Sequence, residues 1–258
     1  MPSYKQLFWK VWYPFLTRRM GKDPITFLNY GFWPPEGETV ALHPDDEVNR
    51  PAIQLYHHVA SGDDLKGKNV LEVSCGHGGG ASFIKRYHNP GSYIAIDLNP
   101  NAIEHNRRAH NGLGIDFRTG NAQVLDFPAD HFDAVVNVEA SHCYLRQEEF
   151  FNSVYRVLRP GGKFLYADFR TAATEPQVER DIREAGFRII EKIDITAHVV
   201  SALRRNTPRY RAIVRQLSPK ILLPYMEMFA GLEGSLVYRM FVNREYLYFS
   251  YVLAKGLN

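Results

Sequence analysis

Apolar residues form two kinds of pattern that alternate over the central part of this chain. Short apolar runs predict strands, and segments with apolar residues at helical spacing predict the helices between them. The predicted strands are residues 69–74, 93–97, 115–118, 132–138, 163–167 and 187–194, and the predicted helices are 80–87, 100–110, 147–158 and 174–185. This alternation predicts a mostly parallel sheet with helices on both faces. Ligands of such sheets bind beyond the carboxyl ends of the strands, near the point where the strand order reverses.

The flanks of this α/β core follow other patterns. Residues 3–19 place apolar side chains at helical spacing, whereas residues 31–51 are rich in proline and glycine and predict a surface loop. Residues 196–232 are helical in pattern, basic on one side and apolar on the other, and residues 246–254 predict a last, seventh strand. The expected organisation is an N-terminal helical lid and pocket segment (1–64), the core (65–195), a helical cap insertion (196–232) and C-terminal strands that complete the sheet (233–258).

The first strand runs directly into a glycine-rich turn. Residues 74–80 are Ser-Cys-Gly-His-Gly-Gly-Gly, and a helical pattern follows at once. Glycine turns tightly and lets a ligand approach the backbone, and a helix start offers unpaired N–H groups. The turn therefore predicts a nucleotide-like cofactor. Alone it is ambiguous, because Gly76, Gly78 and Ala81 also fit the dinucleotide pattern G-x-G-x-x-A, with Asp97 about 20 residues further on.

Three further features argue against a nicotinamide. Glu72 lies inside the first strand, where a carboxylate is costly unless it meets a partner such as a cofactor amine or the N–H groups of the turn. Residues 120–123 are Gly-Asn-Ala-Gln and follow the third strand, where small amide side chains can contact an adenine edge. Residues 158–162, Leu-Arg-Pro-Gly-Gly, end the fourth helix before the fifth strand.

Together these motifs resemble the class I S-adenosylmethionine-dependent methyltransferases. The matching segments are residues 70–78, Asp97, Asn121-Ala122, 132–135 and 157–162, which cover roughly residues 65–170 in the right order. The resemblance implies a Rossmann-like fold, S-adenosyl-L-methionine as cofactor, S-adenosyl-L-homocysteine as product, and no metal. One departure is Ser74, which stands where family members usually have glycine.

The resemblance also implies roles for individual residues. Asp97 would accept hydrogen bonds from the ribose hydroxyls, since an ionised carboxylate is only an acceptor. The other expected cofactor contacts are Leu98, Asn121, Ala122 and Gln123 at the adenine, Glu72, Ser74, Cys75, Gly76 and Gly78 at the methionine part, Asn137 and Glu139 near the sulfonium, and Tyr30, which would close over the cofactor.

The methyl acceptor is indicated by a narrower resemblance. Residues 137–144 and 72–80, with Asn49-Arg50, are similar to mycobacterial phthiotriolone and phenolphthiodiolone dimycocerosate ketone methyltransferases and to glycopeptidolipid fatty-acid O-methyltransferases. Sugar O-methyltransferases of natural-product pathways hold a histidine at the place of His142. We therefore expect O-methylation of a hydroxyl on a lipid or polyketide-like molecule, with His142 as general base and Glu139 as a second catalytic residue.

The aromatic content of 13% is concentrated at the two ends of the chain and suggests an apolar acceptor pocket. The expected pocket residues are Tyr13, Trp33 and Tyr144. Aromatic faces and Glu139 could also stabilise a carbocation, so C-methylation of a prenyl or alkene acceptor is an alternative. A nicotinamide-dependent oxidoreductase and a non-catalytic cofactor-binding subunit are further alternatives.

Composition limits partners and location. The net charge of +3 does not favour nucleic acid, and Cys75 and Cys143 form neither a metal-site spacing nor a disulfide framework, so we expect a reducing, cytoplasmic location. No apolar run reaches the roughly 18 to 20 residues of a membrane span, and the first ten residues lack the apolar region of a signal peptide. The basic residues at 196–220 suggest at most peripheral membrane contact, and the aromatic N-terminus makes a homo-oligomer conceivable.

Overall fold

The computed structural model describes residues 26–34 and 39–257. The predicted N-terminal helix, and Tyr13 within it, lies outside these residues. The strands are β1 Asn69–Val73, β2 Ser92–Asp97, β3 Ile115–Thr119, β4 Phe132–Val138, β5 Leu158–Thr171, β6 Arg188–Asp194 and β7 Tyr246–Ala254. The α-helices of the described part are α1 Arg50–Ala60, α2 Gly79–Tyr87, α3 Pro100–Ala109, α4 Gln147–Val157, α5 Glu175–Glu184, α6 Thr196–Leu217, α7 Leu223–Phe229 and α8 Leu236–Val242. Short 3₁₀ helices cover Pro44–Asn49, Ser141–Cys143 and Lys220–Leu222.

All seven strands form one sheet in the order β3-β2-β1-β4-β5-β7-β6. Strands β1 to β5 pair in parallel, and β7 is antiparallel to both of its neighbours. The predicted mostly parallel sheet is therefore confirmed. The strand order reverses between β1 and β4, so the carboxyl ends of these two strands open the crevice in which such folds bind ligands.

Helices cover both faces of the sheet because successive strand residues point to opposite sides. In β1, Val70 belongs to the apolar cluster beneath α1 and α2, whereas Leu71 belongs to the cluster beneath α4 and α5. Buried apolar side chains of α1, such as Ile53, pack on the first face, and those of α4, such as Val154, pack on the second. A strand buried on both faces must be almost wholly apolar, which makes Glu72 in β1 an exception that calls for partners.

Three predicted segments differ from the structure. Strand β5 begins at Leu158 instead of residue 163, because Leu158 already pairs with Phe132 of β4, and Gly162 O accepts a hydrogen bond from Lys255 N, 3.0 Å away. The predicted C-terminal strand region contains α8, whose start is capped by the Ser235 side chain, which accepts from Tyr238 N. The predicted surface loop over residues 31–51 includes the 3₁₀ helix Pro44–Asn49. None of the helices in the described ranges is both long and apolar enough to span a membrane.

Candidate active site

A cavity of about 700 Å³ lies over the carboxyl ends of β1, β2 and β4. One end is formed by the glycine turn after β1 and by Asp97. The other end is apolar, and α6 and α7 line it with Leu203, Tyr210, Ile213, Val214, Met226 and Phe229. The volume is in the usual range for a small-molecule site. Because its two ends differ in polarity, the cavity suits a polar cofactor beside an apolar acceptor.

The polar end is organised by Asp97 at the end of β2. Its Oδ2 accepts from Gly76 N and its Oδ1 accepts from Asn99 N, both at 2.9 Å. Burial raises the pKa of Asp97 to about 6, although these backbone hydrogen bonds oppose the rise. At neutral pH the carboxylate is mainly ionised, and each oxygen keeps acceptor capacity for a hydroxyl donor in the cavity.

The glycine turn also contains a strained serine. Ser74 has a φ of 60°, in the left-handed region that favours glycine, and this conformation costs roughly 1 to 2 kcal/mol for other residues. Ser74 Oγ lies 2.6 Å from Tyr144 Oη, and Asn137 Nδ2 donates to the same Tyr144 oxygen at 3.0 Å. Tyr144, predicted as an acceptor contact, therefore lies in the cavity with its hydroxyl against the turn.

The turn after β3 supplies the amides predicted at the adenine. Asn121 Oδ1 accepts from Gln123 N at 3.0 Å, and Gln123 Oε1 accepts from Leu145 N at 2.9 Å. Each amide oxygen thus accepts a hydrogen bond from a backbone N–H group, and each NH₂ group can donate to an aromatic nitrogen of a ligand. Leu98 lines this end of the cavity with 66% of its surface exposed, as expected of a side chain that flanks a flat ring.

The catalytic candidate His142 is held by an aspartate that the sequence patterns did not reveal. His142 Nδ1 lies 2.8 Å from Asp168 Oδ1, and His142 N donates to Asp168 Oδ2, also at 2.8 Å. With Nδ1 engaged by the carboxylate, Nε2 is the ring atom that can take up a proton. Burial lowers the pKa of His142, but the Asp168 carboxylate and the nearby Cys143 raise it more strongly, to about 10.

Asp168 is itself fixed on several sides. Ser141 Oγ donates to its Oδ2 at 2.7 Å, and Arg170 Nη1 lies 3.1 Å from the same oxygen. Burial alone raises the pKa of Asp168, yet the charges of Arg170 and His142 hold it well below its usual range. Asp168 lies beyond the apolar run predicted as the fifth strand, at the sheet edge where Asp97 and Glu139 also lie. That position was the signal from which it could have been found.

Glu139 follows β4 and connects three parts of the chain. Its φ is 52°, and its Oε2 accepts from Tyr30 N at 2.8 Å and from Tyr248 Oη at 3.0 Å. Burial raises the pKa of Glu139 to about 8, against the Tyr30 hydrogen bond and the His142 charge, so its neutral form prevails at pH 7. The Tyr30 hydroxyl donates to Phe229 O at 3.3 Å, which links the segment before α1 to α7 across the cavity.

Four predicted contacts, Glu72, Gly78, Asn137 and Trp33, are not among the residues that line this cavity. Glu72 is buried behind the wall and accepts from the Tyr56 and Tyr93 hydroxyls, each at 2.9 Å, and burial raises its pKa to about 7. A Cβ at Gly78 would lie 2.8 Å from the His110 ring, so packing explains this glycine. Asn137 donates to Val73 O and to Tyr144 inside the wall, and Trp33 packs under the Arg205 guanidinium.

Known proteins resemble this chain along most of its length. A family model described as a methyltransferase domain matches residues 71–166. The chain is 40% identical over 253 residues to the phthiotriol/phenolphthiotriol dimycocerosates methyltransferase of Mycobacterium tuberculosis, covering 98% of this chain and 93% of that protein. It is 43% identical over 222 residues to the fatty-acid O-methyltransferase of Mycolicibacterium smegmatis, covering 85% and 80%. The chain belongs to the S-adenosylmethionine-dependent methyltransferases.

Solved structures confirm the Rossmann-like fold of this methyltransferase. The cyclase SpnF aligns with a TM-score of 0.71 at 18% identity, covering 98% of this chain and 96% of that chain. The geranyl diphosphate C-methyltransferase of Streptomyces coelicolor aligns with a TM-score of 0.67 at 13% identity, covering 95% and 98%. At these identities the likeness shows the fold alone. Because one of the two is a cyclase, the reaction has to be argued from the site.

The residues present fit the family's cofactor. Asp97 offers acceptors for a ribose, the glycine turn leaves backbone exposed for the methionine part, and Leu98 and Ala122 form a flat apolar end for an adenine. Tyr30, Ser74, Cys75, Gly76, Asn121 and Gln123 line the same cavity. Within the described ranges, no group of three or more His, Cys, Asp and Glu side chains is arranged to hold a metal ion.

Proposed function

We propose that this methyltransferase methylates a hydroxyl oxygen of a lipid or polyketide-like acceptor. The observation that carries the proposal is the His142–Asp168 pair, because its His142 lines the same cavity as Asp97 and the glycine turn. Two relatives, at 43% and 40% identity, are named a fatty-acid O-methyltransferase and a phthiotriol/phenolphthiotriol dimycocerosates methyltransferase. Phthiotriol, as its name says, is an alcohol, and a hydroxyl acceptor needs a base.

The chemistry follows from the residues around that pair. S-adenosylmethionine, when bound, supplies an electrophilic methyl group on a positively charged sulfur. An alcohol is a poor nucleophile until its proton leaves, and His142 Nε2 can take that proton as the carbon–oxygen bond forms. A well-placed general base contributes about 10² to 10⁴ in rate. Asp168 holds the imidazole in the required tautomer and stabilises the imidazolium that results.

The predicted contacts that line the cavity are assigned to the three parts of the cofactor. Asp97 binds the ribose hydroxyls, Leu98, Asn121, Ala122 and Gln123 surround the adenine, and Ser74, Cys75 and Gly76 frame the methionine part. Residues 196–232 act as a cap whose apolar side, on α6 and α7, receives the acceptor chain. Tyr30 closes the cavity by its hydrogen bonds to Glu139 and Phe229. Cys75 and Cys143 are free thiols, in keeping with a cytoplasmic enzyme.

C-methylation is the second candidate, because aromatic rings surround the cavity beside Glu139. Tyr30 and Phe169 both line the cavity, and their ring centroids lie 5.5 Å apart. Such faces can stabilise a carbocation. The raised pKa of Glu139 makes this candidate the weaker one, since a neutral carboxyl stabilises a cation less than a carboxylate does.

The proposal predicts a definite order of ligand affinities and one class of acceptor. Calorimetry should show binding of S-adenosylhomocysteine and no comparable binding of NAD⁺ or NADP⁺. A methyl-labelled donor should then transfer its label to a long-chain alcohol or hydroxylated lipid, and the matched lipid lacking that hydroxyl should stay unlabelled. Binding of NAD⁺ in preference would contradict the cofactor assignment. Label on a carbon atom of both lipids would favour C-methylation.

The His142 pKa predicts an unusual pH dependence. The imidazolium cannot accept a proton, so kcat/KM should rise about tenfold per pH unit until it levels off near pH 10, the pKa in the free enzyme. A bound sulfonium adds positive charge beside the imidazolium and lowers its pKa, so kcat should level off at a lower pH. Initial rates across this range check both statements. The Glu139→Gln variant removes the titration of Glu139, whose pKa is about 8, so that only the His142 titration remains in the profile. If kcat and kcat/KM levelled off at the same pH, the result would count against the mechanism.

A further inference from the structure

The positive charge of this chain is concentrated in one segment. Residues 204–227 contain six cationic side chains and one carboxylate, Glu227, whereas the whole chain has a net charge of only +3. The rest of the protein is therefore net negative. The cationic residues are Arg204, Arg205, Arg209, Arg211, Arg215 and Lys220. This segment consists of most of α6, the 3₁₀ helix Lys220–Leu222 and most of α7, so the charge lies on the helical part that follows the core.

The end of this segment also exposes apolar side chains. Ile221 is 83% exposed and Tyr225 is 62% exposed. We call residues 215–225 the helical tip. Arg215 and Lys220, which belong to it, are exposed and form no ion pair with any described residue, in contrast to Arg211, which pairs with Glu227. Exposed apolar and aromatic side chains among unpaired cations are typical of surfaces that enter the headgroup region of a membrane.

The helical tip is continuous with the cavity. Ile213 and Val214 before the exposed pair, Ser218 within the tip, and Met226 directly after it all line the apolar end. One short turn of chain therefore presents apolar side chains to the cavity on one side and to the surroundings on the other. A surface that contacts only water would account for the exposed cations but not for the exposed side chains of Ile221 and Tyr225.

We propose that the helical tip docks on a lipid bilayer with anionic headgroups. Ile221 and Tyr225 enter the headgroup region, and Arg215 and Lys220 contact lipid phosphates. The apolar end of the cavity then lies next to the bilayer, from which a long-chain acceptor enters. This consequence for the acceptor rests on the proposed function, whereas the docking itself does not.

Co-sedimentation of the full chain with vesicles tests the docking without cofactor or acceptor. Vesicles of phosphatidylcholine with phosphatidylglycerol should bind the protein, and vesicles of phosphatidylcholine alone should bind it much less. Added salt should weaken the binding, because charge contributes to it. Lys220→Gln should lower the partition coefficient about fivefold, and Ile221→Ser about tenfold, since each removes one part of the interaction.

Two matched variants serve as controls. Leu257→Ser removes an apolar side chain that is 84% exposed elsewhere on the surface, and Lys66→Gln removes an exposed cation outside the tip. Both should bind vesicles like the unaltered protein.

Equal losses of vesicle binding in Ile221→Ser and Leu257→Ser, or no binding to anionic vesicles, would overturn the proposal. So would a loss of dimers on Ile221→Ser in light scattering, because the pair would then contact a second copy. Methyl transfer to a detergent-dispersed acceptor should be unchanged in Ile221→Ser. A failure of the docking proposal can therefore be distinguished from a failure of the proposed function.

Discussion

Replacement of His142 by alanine is expected to slow methyl transfer by about 10²- to 10⁴-fold, while the affinity for S-adenosylhomocysteine stays unchanged. The proposed base is lost, but the Asp97 end of the cavity, where we propose that the cofactor binds, is untouched. Labelled-methyl assays under saturating donor measure the rate, and calorimetry measures the affinity. The exposed residue His131 offers a matched control, since His131→Ala removes an imidazole outside the cavity and should leave the rate unchanged.

The Asp168→Asn variant separates a chemical role from a structural one. An amide keeps the shape of the carboxyl but removes the charge that raises the pKa of His142. The rate on the high-pH plateau should fall, because the amide no longer stabilises the imidazolium, and the pH profile should level off at a lower pH than in the unaltered enzyme. A purely structural role would lower the rate without moving the profile. Full activity of His142→Ala across the pH range would rule out the base and leave positioning as the source of catalysis.

Replacement of Asp97 by alanine is expected to weaken the binding of S-adenosylhomocysteine about 100-fold or more. Hydrogen bonds to a charged group contribute about 1.5 to 3 kcal/mol each, and the variant loses the acceptors for two ribose hydroxyls. It also leaves Gly76 N and Asn99 N without their partner, which loosens the glycine turn. Calorimetry measures the affinity, and thermal unfolding shows whether the variant remains folded. Asp116→Ala, at an exposed aspartate of β3 paired with Arg118, should bind normally.

The pH dependence of product binding provides a second check on Asp97. The carboxylate is the form that accepts from hydroxyls, and burial raises its pKa from 3.8 to about 6. The affinity for S-adenosylhomocysteine should therefore be full above that pH and fall as the pH drops through about 6. Because the product has no sulfonium charge, His142 should not disturb this titration. An affinity that is flat across this range, or normal in Asp97→Ala, would show that the ribose lies elsewhere.

The periodic pattern of the chain was sufficient to predict the mostly parallel sheet. The bounds of β4 and β7 match the predicted runs, and Gly76 of the turn after β1 lines the cavity together with Asp97 at the end of β2. These features depend on interactions between residues close in sequence: alternation sets strand burial, and glycine sets the turn. His142 was predicted from the resemblance of the segment after β4 to other methyltransferases, and its catalytic role stays a prediction.

The partners of the acceptor end were decided by the tertiary structure. Register pairs Val138 of β4 with Ala167 of β5, so the next residues, Glu139 and Asp168, meet at one sheet edge. Asp168 thereby reaches His142, 26 positions away in the chain, and Glu139 reaches Tyr30 and Tyr248, each 109 positions away. Glu72 received tyrosine partners behind the wall for the same reason. Local periodicity determines which side of a strand a residue faces, but only strand register and helix packing determine which distant side chain faces it.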